Sequence, residues 1–230
     1  MKKLSIIIPA FNERKTINAV IEKVRSVELP LEKEIIVVDD YSTDGTFEFV
    51  SKMPGIKCVR NEKNLGKGAA LRLGFENAAG DIILIQDADL EYNPSEYGRL
   101  IEPILEGRAD VVFGSRFRGE ERRVLYFWHS LGNGIVTLFS NIFTNLNLSD
   151  VYTCYKVFRA DSLKEILPRI KSKGFAIEAE LTARAAHAHF RIFEVPISYA
   201  GRTYEEGKKI RPWDGVRALF AVLWFNLIDR

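Results

Sequence analysis

The sequence predicts an α/β fold built around a mostly parallel β-sheet, and three observations support that prediction. In the first half of the chain, short apolar runs with strand character alternate with segments whose apolar residues recur at helical spacing. Acidic residues directly follow two of those runs, at the position where parallel sheets place their ligand sites. The 230 residues, 47% of them hydrophobic, are enough for one substantial core. We therefore expect strands joined by crossover helices.

Five apolar runs in the first half are predicted strands: Leu4–Ile8, Ile35–Val38, Ile56–Arg60, Ile82–Ile85 and Val111–Phe113. The segment between the first two runs has one apolar helical face, formed by Ile17, Val20, Ile21, Val24 and Val27. The turn-forming cluster at 42–45 precedes a second helix, and a further helix is predicted between Pro94 and Gly107.

The pattern changes after Arg116. A charged loop at 118–123 leads into the aromatic and aliphatic stretch Val124–Leu148, which predicts one or two amphipathic helices. Strands are then expected at Tyr155–Phe158 and through Phe193 and Val195, with helices between them. A final helix is predicted from Trp213 to Arg230.

Overall composition narrows the class of protein. The formal net charge is only +2, which argues against nucleic acid as the main partner. Cys58 and Cys154 are far apart and form no CxxC pair, so we expect free thiols in a reducing compartment, the cytoplasm. No run of about 18 apolar residues is present, so no transmembrane helix is predicted.

Acidic residues at two strand ends are the first candidates for chemistry. Asp39 and Asp40 follow the second strand, while Asp87, Asp89 and Glu91 follow the fourth. Crowded carboxylates repel one another unless a cation or hydrogen-bond donors compensate. Helix capping by Asp39 and Asp87 is the alternative, but one cap does not require three carboxylates in five residues. Hard oxygen ligands without nearby Cys or His favour Mg²⁺ or Mn²⁺.

A glycine-rich segment is the second candidate. Lys67 lies between Gly66 and Gly68 and precedes a predicted helix, so its surroundings could offer backbone N–H groups and one cation to a phosphate. The segment matches neither the P-loop nor the dinucleotide-binding fingerprint, so by itself it is a weak signal.

Four motifs of the first half together resemble glycosyltransferase family 2: Ile7-Ile8-Pro9-Ala10-Phe11-Asn12-Glu13, Val38-Asp39-Asp40-Tyr41-Ser42-Thr43-Asp44-Gly45-Thr46, Asn64-Leu65-Gly66-Lys67-Gly68 and Asp87-Ala88-Asp89. The second half resembles the dolichyl-phosphate or polyprenyl-phosphate sugar synthase branch, through Gly114-Ser115-Arg116-Phe117, Asp150–Phe158, Phe175–Glu180 and Glu194–Ile197. This resemblance implies a GT-A fold and a donor such as GDP-mannose or UDP-glucose.

The resemblance also assigns residues. It implies a nucleoside pocket lined by Pro9, Phe11, Glu13, Val38 and Asp40, with Lys67 also on the donor side. It implies a metal and diphosphate site at Asp87, Asp89 and residue 91. The branch commonly has Gln where this chain has Glu91, which leaves open whether Glu91 ligates the metal or points away. The expected organisation is a nucleotide-sugar-binding half (1–114), an acceptor-binding half (115–212) of the same domain, and a C-terminal amphipathic helix (213–230).

The acceptor is predicted from local charge beside apolar stretches. A lipid phosphate needs a cationic clamp for its head and an apolar surface for its chain. The candidate acceptor-binding residues are Arg116, Lys156, Arg202 and Lys208, and the resemblance places Arg116 and Arg202 with Asp89 among the catalytic residues. A phosphate oxygen is largely anionic at neutral pH, so direct displacement needs no strong base and inverts the sugar.

Two other functions stay open at this stage. A soluble or saccharide hydroxyl acceptor would require a general base, for which Glu178 and Glu180 are the candidates. A nucleotide-binding partner subunit without turnover is the third reading. For the last helix, packing on the domain competes with a position in the membrane interface, where Lys208, Lys209 and Arg211 would face anionic lipid. The second position predicts a peripheral protein at the cytoplasmic face of the membrane.

Overall fold

The computed structural model describes residues 1–118, 123, 126–203, 205 and 212–229. Within them lies a seven-stranded sheet. Its strands are β1 (Lys3–Ala10), β2 (Glu32–Asp39), β3 (Ile56–Arg60), β4 (Ile82–Ile85), β5 (Val111–Ser115), β6 (Lys156–Arg159) and β7 (Ile192–Pro196). The strand order across the sheet is β3-β2-β1-β4-β6-β5-β7. All seven predicted strands are present, with ends shifted by a few residues.

The sheet is parallel except for one strand. β6 is antiparallel to both of its neighbours, β4 and β5, and the remaining pairs are parallel. The predicted α/β fold with a mostly parallel sheet is therefore confirmed. Because six strands run in one direction, their carboxyl ends meet at a single edge, and the first two ends are level, since Ala10 pairs with Asp39. That edge is where a ligand site is expected.

Helices cover both faces of the sheet. They are α1 (Ile17–Ser26), α2 (Thr46–Val50), α3 (Lys67–Asn77), α4 (Tyr97–Leu105), α5 (Phe127–Thr144), α6 (Ala160–Ile166), α7 (Ile177–His187) and α8 (Pro212–Leu223), followed by a π-helical turn at Trp224–Ile228. The stretch predicted as one or two helices contains a single long helix, α5. None of the helices in the described residues is long and apolar enough to cross a membrane.

The strand β6 joins the two predicted halves of the chain. It belongs to the second half, but it lies between β4 and β5 of the first half and hydrogen-bonds to both. Its apolar residues Val157 and Phe158 are completely buried. The two halves therefore share one sheet and one core.

A smaller apolar cluster holds α5, α7 and α8 together beside the main core. Its buried members are Val136, Ala179, Ala183, Ala218, Ala221, Val222 and Phe225. Small residues on α7 and α8 let the helices approach closely. One face of α8 thus packs on the domain, as one of the two readings of the last helix predicted.

Candidate active site

The acidic residues after β4 lie at the carboxyl edge of the sheet. They contact a cationic side chain that is distant in sequence. Arg202, in the segment that follows β7, places Nη2 2.8 Å from Oδ2 of Asp89 and Nε 3.1 Å from Oε1 of Glu91. Leu90, between these two carboxylates, has a positive φ of 66°. The backbone therefore turns at Leu90, and the side chains of Asp89 and Glu91 on either side of this turn both contact Arg202.

Glu91 is engaged with the segment at 199–202. Its carboxylate accepts hydrogen bonds from the Tyr199 hydroxyl (2.7 Å) and the Arg202 backbone N–H (3.0 Å), and its carbonyl accepts one from the N–H of Ala200. Across the described part of the chain, no three His, Cys, Asp or Glu side chains are grouped so that they could hold a metal. Both oxygens of Glu91 thus have protein partners, which favours the alternative in which Glu91 does not ligate a metal. Its role stays a prediction.

Asp89 carries the clearest electrostatic signal of the site. Burial raises the pKa of its carboxyl to about 7, the negative charges of Asp87 and Glu91 add to that rise, and Arg202 opposes it. Crowded negative charge on hard oxygen donors is the environment that Mg²⁺ or Mn²⁺ stabilises. The carboxylate oxygens of Asp87 and Asp89 are therefore of the type that binds a divalent ion.

Lys67, at the start of α3, is an ion-pair partner for two of the predicted site carboxylates. Its Nζ lies 2.8 Å from Oδ1 of Asp87 and 3.0 Å from Oε1 of Glu178. Burial alone would lower the pKa of Lys67, but Asp87 and Glu178 contribute to a net rise. The ammonium group therefore stays charged and helps to fix Asp87.

Lys156 does not lie where an acceptor could reach it. Its side chain is completely buried, and its Nζ donates to Glu178 (2.7 Å) and to the carbonyls of Val151 (2.8 Å) and Thr153 (2.7 Å). All three ammonium hydrogens thus have partners. The predicted acceptor-binding role of Lys156 is corrected to a structural one: it ties β6 to α7.

Asp40 organises the neighbouring loop. Its carboxylate accepts hydrogen bonds from the Asn61 side chain (2.7 Å) and from the backbone N–H groups of Leu65 (3.0 Å) and Gly66 (2.6 Å). Asp40 is 3% exposed. Asp40 therefore fixes the conformation of the loop at 61–66, and its predicted contact with a nucleoside stays a prediction.

The glycines around Lys67 have a packing role that the sequence did not reveal. A Cβ atom at Gly66 would lie 2.6 Å from the carbonyl oxygen of Lys173, and one at Gly68 would collide with Ser172. The N–H of Ala69 donates to the same Lys173 carbonyl (3.1 Å). Several N–H groups that could have faced a phosphate are thus used within the protein.

The predicted nucleoside residues separate into two groups. Pro9, Phe11 and Glu13 lie at or beyond the carboxyl end of β1, and Phe11 is 39% exposed. Val38 is fully buried, and its Cγ2 lies 3.1 Å from the position of a Cβ at Gly74 in α3. The side chain of Val38 therefore packs under a helix, and the prediction that it lines a nucleoside pocket is corrected.

Arg116 is fixed by a bidentate pair with Asp150, with Nε 2.6 Å from Oδ2 and Nη2 2.8 Å from Oδ1. Its guanidinium carbon lies 5.0 Å from the centre of the Tyr199 ring, whose hydroxyl binds Glu91. Arg116 thus contacts the Tyr199 ring, and Arg202 is linked to the same tyrosine through their shared partner Glu91. Tyr199 and Asp150 were not among the predicted site residues, although Asp150 begins the motif Asp150–Phe158 that carries the resemblance. Lys208 lies outside the described residues.

With this geometry established, comparison with known proteins assigns the family. The model for "Glycosyl transferase family 2" matches residues 5–167. The chain belongs to glycosyl transferase family 2.

Similar proteins narrow the branch of the family 2 chain. An undecaprenyl-phosphate mannosyltransferase of Micrococcus luteus is 31% identical over 88% of this chain and 85% of its own length. A dolichol-phosphate mannosyltransferase of Pyrococcus furiosus is 28% identical over 99% of this chain and 66% of its own. A low-salt glycan biosynthesis hexosyltransferase of Haloferax volcanii is 30% identical over 93% and 52%. This chain thus spans about two thirds and about half of the last two relatives.

A solved structure supports the fold assignment of the family 2 chain. Glucosyl-3-phosphoglycerate synthase from Mycobacterium tuberculosis, crystallised with Mn²⁺, UDP and phosphoglyceric acid, superimposes with a TM-score of 0.77 at 22% identity, over 100% of this chain and 80% of that chain. At this identity the likeness establishes the fold, and the GT-A prediction is confirmed.

Proposed function

We propose that this chain is an inverting hexosyltransferase that moves a sugar from GDP-mannose or UDP-glucose to a polyprenyl phosphate. The observation that carries the proposal is a chain of contacts from one arginine to the other. Arg116 lies against the ring of Tyr199, the Tyr199 hydroxyl binds Glu91, and Arg202 binds both Glu91 and Asp89. One cation for an acceptor phosphate thus touches the carboxylates after β4, and a second lies one tyrosine away. The names of two relatives, mannosyltransferases that act on undecaprenyl and dolichol phosphate, favour mannose as the sugar.

On the donor side, we assign the nucleoside to the residues after β1 and to the loop that Asp40 shapes. Asp87 and Asp89 would hold Mg²⁺ or Mn²⁺, and Lys67 orients Asp87 through its 2.8 Å contact. A bound ion supplies Lewis-acid stabilisation of the negative charge that grows on a diphosphate leaving group. Arg202 contributes a positive charge at Asp89.

On the acceptor side, the candidate general bases favour a phosphate over a hydroxyl group. Glu178 is buried between Lys67 and Lys156, and Glu180 accepts hydrogen bonds from the backbone N–H groups of Lys171 and Ser172. Both carboxylates are also buried, with exposures of 3% for Glu178 and 0% for Glu180, so an acceptor hydroxyl cannot reach them in this structure. A phosphate acceptor needs no such base, because its second pKa is near 6 and its oxygen is already anionic.

The proposal includes a membrane surface formed by α5, α8 and the π-helical turn, which we call the apolar face. Its large exposed side chains include Phe127, Trp128, Leu138, Ile142, Trp213, Phe220, Leu227 and Ile228. Trp128 is 75% exposed and Phe220 70%. Large exposed apolar side chains in such number favour an interaction surface, and a lipid acceptor makes the membrane interface the natural partner.

Purified protein, with Mg²⁺ or Mn²⁺, tests the activity when it is given labelled GDP-mannose or UDP-glucose and a short polyprenyl phosphate. We expect a labelled lipid in which the configuration at the anomeric carbon of the sugar is inverted relative to the donor. Treatment with mild acid should release the label from this lipid as free sugar. Transfer to a saccharide hydroxyl in place of the lipid phosphate would contradict the acceptor assignment. Nucleotide binding without any transfer would favour the partner-subunit reading.

Sedimentation with anionic vesicles tests the apolar face. We expect wild-type protein to sediment with the vesicles and the double variant Trp128→Ser, Phe220→Ser to remain in the supernatant. The matched control is Leu105→Ser, because Leu105 is an exposed leucine (38%) at the end of α4. Equal sedimentation of the double variant and the control would contradict a membrane role for the apolar face.

A further inference from the structure

Two residues at the carboxyl edge of the sheet hold a backbone conformation that their side chains disfavour. Tyr41 has a φ of 64° and Leu90 a φ of 66°. Asn and His enter this left-handed region readily, and they account for Asn12, Asn145 and His189, but a bulky residue there is an outlier. Tyr41 directly follows Asp40, just as Leu90 directly follows Asp89. Such strain is retained at functional sites, where the surrounding contacts enforce it.

Glycine would satisfy the same backbone without strain, and the adjoining loops use it. Gly45 has a φ of 85° and Gly66 a φ of 95°. At position 41 the chain instead carries a tyrosine whose side chain is 46% exposed. Because the backbone alone would favour glycine, the ring itself is the feature that needs an explanation.

The orientation of the Tyr41 ring is supported from one side. The guanidinium carbon of Arg60 lies 4.8 Å from the Tyr41 ring centre and 4.6 Å from that of Phe47, so Arg60 stacks against both rings. Arg60 is itself fixed, with Nε 3.0 Å from Oδ2 of Asp39 and Nη2 2.8 Å from the carbonyl of Ser42. The tyrosine therefore presents a flat aromatic surface on a rigid support.

The position of the ring matches the nucleoside end of the proposed donor site. Asp40 donates its backbone N–H to the carbonyl of Ala10 (2.8 Å), so the residues that follow β1 and β2 start from the same level of the edge. Phe11 follows β1 and Tyr41 follows Asp40, and both side chains are exposed. Two aromatic side chains thus leave adjacent strand ends on the side where the base is expected.

We infer that Tyr41 is a stacking residue for the nucleobase of the donor and contributes to its selection. This inference rests on the proposed function, because it presupposes a nucleotide donor. The chemistry that it requires is a planar, uncharged heterocycle, for which a rigid aromatic ring gains affinity by stacking. The diphosphate, which binds at the loop after β4, gains nothing from Tyr41.

Calorimetric titration of the full chain with GDP, UDP and inorganic pyrophosphate, each with Mn²⁺, tests the inference. We expect Tyr41→Gly to weaken binding of at least one nucleotide by about fivefold or more, because stacking on one aromatic side chain contributes at least that much. Glycine suits the backbone at this position, so the variant keeps its fold, which a thermal melt verifies. Tyr41→Phe, which retains the ring, should bind within about twofold of wild type.

Pyrophosphate is the matched control ligand, and its affinity should be unchanged in both variants. Wild-type affinity for GDP and UDP in Tyr41→Gly would overturn the inference while leaving the proposed function intact. Equal losses for nucleotides and pyrophosphate would also overturn it, since they would indicate a displaced loop. If wild-type protein binds neither nucleotide but does bind pyrophosphate, the nucleotide donor itself is wrong.

Discussion

Asp40 and Asp89 follow β2 and β4 at the same edge of the sheet, but different groups compensate their negative charges. Asp40 is bound by two backbone N–H groups and one amide of the loop at 61–66. Asp89 is bound by the guanidinium of Arg202, and its pKa is raised to about 7 by burial and by neighbouring carboxylates. The first carboxylate is built into a loop, whereas the second carries charge that another cation can stabilise.

The difference indicates where ligands act. Backbone donors cannot leave Asp40 without rebuilding the loop, so its role is to hold a shape. A side-chain cation such as Arg202 can be replaced at Asp89 by a metal ion, or can move to bind a phosphate, without a change in the sheet. We therefore expect substitution of Asp40 to affect mainly stability and substitution of Asp89 to affect mainly activity.

The largest expected effect is on turnover. Asp89→Asn should reduce transfer roughly 10³-fold, because it removes charge at the position where the transition state is stabilised electrostatically. Excess EDTA should have a similar effect on wild type. The rate of labelled lipid formation measures both, and Asp161→Asn, at an exposed carboxylate (76%) in α6, is the control. Full activity of Asp89→Asn would mean that the metal site is misassigned.

The next effect is on stability. Asp40→Ala leaves the N–H groups of Leu65 and Gly66 and the Asn61 amide without their acceptor, which we expect to lower the free energy of unfolding by roughly 3 kcal/mol. Urea denaturation followed by circular dichroism measures this value. Asp161→Ala should change it by less than about 0.5 kcal/mol. A stability close to wild type for Asp40→Ala would remove the distinction between the two carboxylates.

A smaller effect concerns metal affinity. Asp87→Asn should weaken Mn²⁺ binding by about tenfold or more, whereas Glu91→Gln should change it by less than about threefold. The reason is that the oxygens of Glu91 are already used by Tyr199 and Arg202. Titration of the Mn²⁺ electron paramagnetic resonance signal distinguishes the two. A comparable loss in both variants would show that Glu91 is a ligand.

The smallest effect is the pH dependence of stability in the metal-free protein. The folded-state pKa of Asp89 is about 7, above its ordinary value near 3.8, so the unfolded state ionises first as the pH rises. The free energy of unfolding of wild type therefore falls, because of Asp89, as the pH rises from about 4 to about 7. At pH 8, Asp89→Asn should be more stable than wild type, and this gain should vanish below about pH 4. Denaturation at several pH values measures it, and a gain independent of pH would contradict the assigned cause.

Much of the fold was predictable because its signals are local. The buried runs of β2 and β4 are continuous and lead directly into polar and acidic residues, which specifies both the strands and the edge where the acidic motifs lie. The antiparallel position of β6 was not predictable, because it depends on partners distant in sequence.

The site was predictable in its acidic part and less so in its cations. Asp87 and Asp89 lie where strand ends predicted them, but a lysine in a sequence carries no sign of its burial. Lys156 proved to be fully buried and used by two carbonyls and Glu178. The reasons for Gly66 and Gly68 were equally invisible, because the segment that packs against them, 172–173, is far along the chain.

The position of β6 between β4 and β5 has a consequence for how the molecule forms. During synthesis, β4 and β5 emerge from the ribosome well before the strand that must bridge them, so the edge of β4 has no partner on that side until residue 159 has been made. A nascent chain ending before β6 therefore has an incomplete sheet. The first half of the chain therefore cannot complete its sheet during synthesis. Its folding is finished only when β6, from the second half, pairs with β4 and β5.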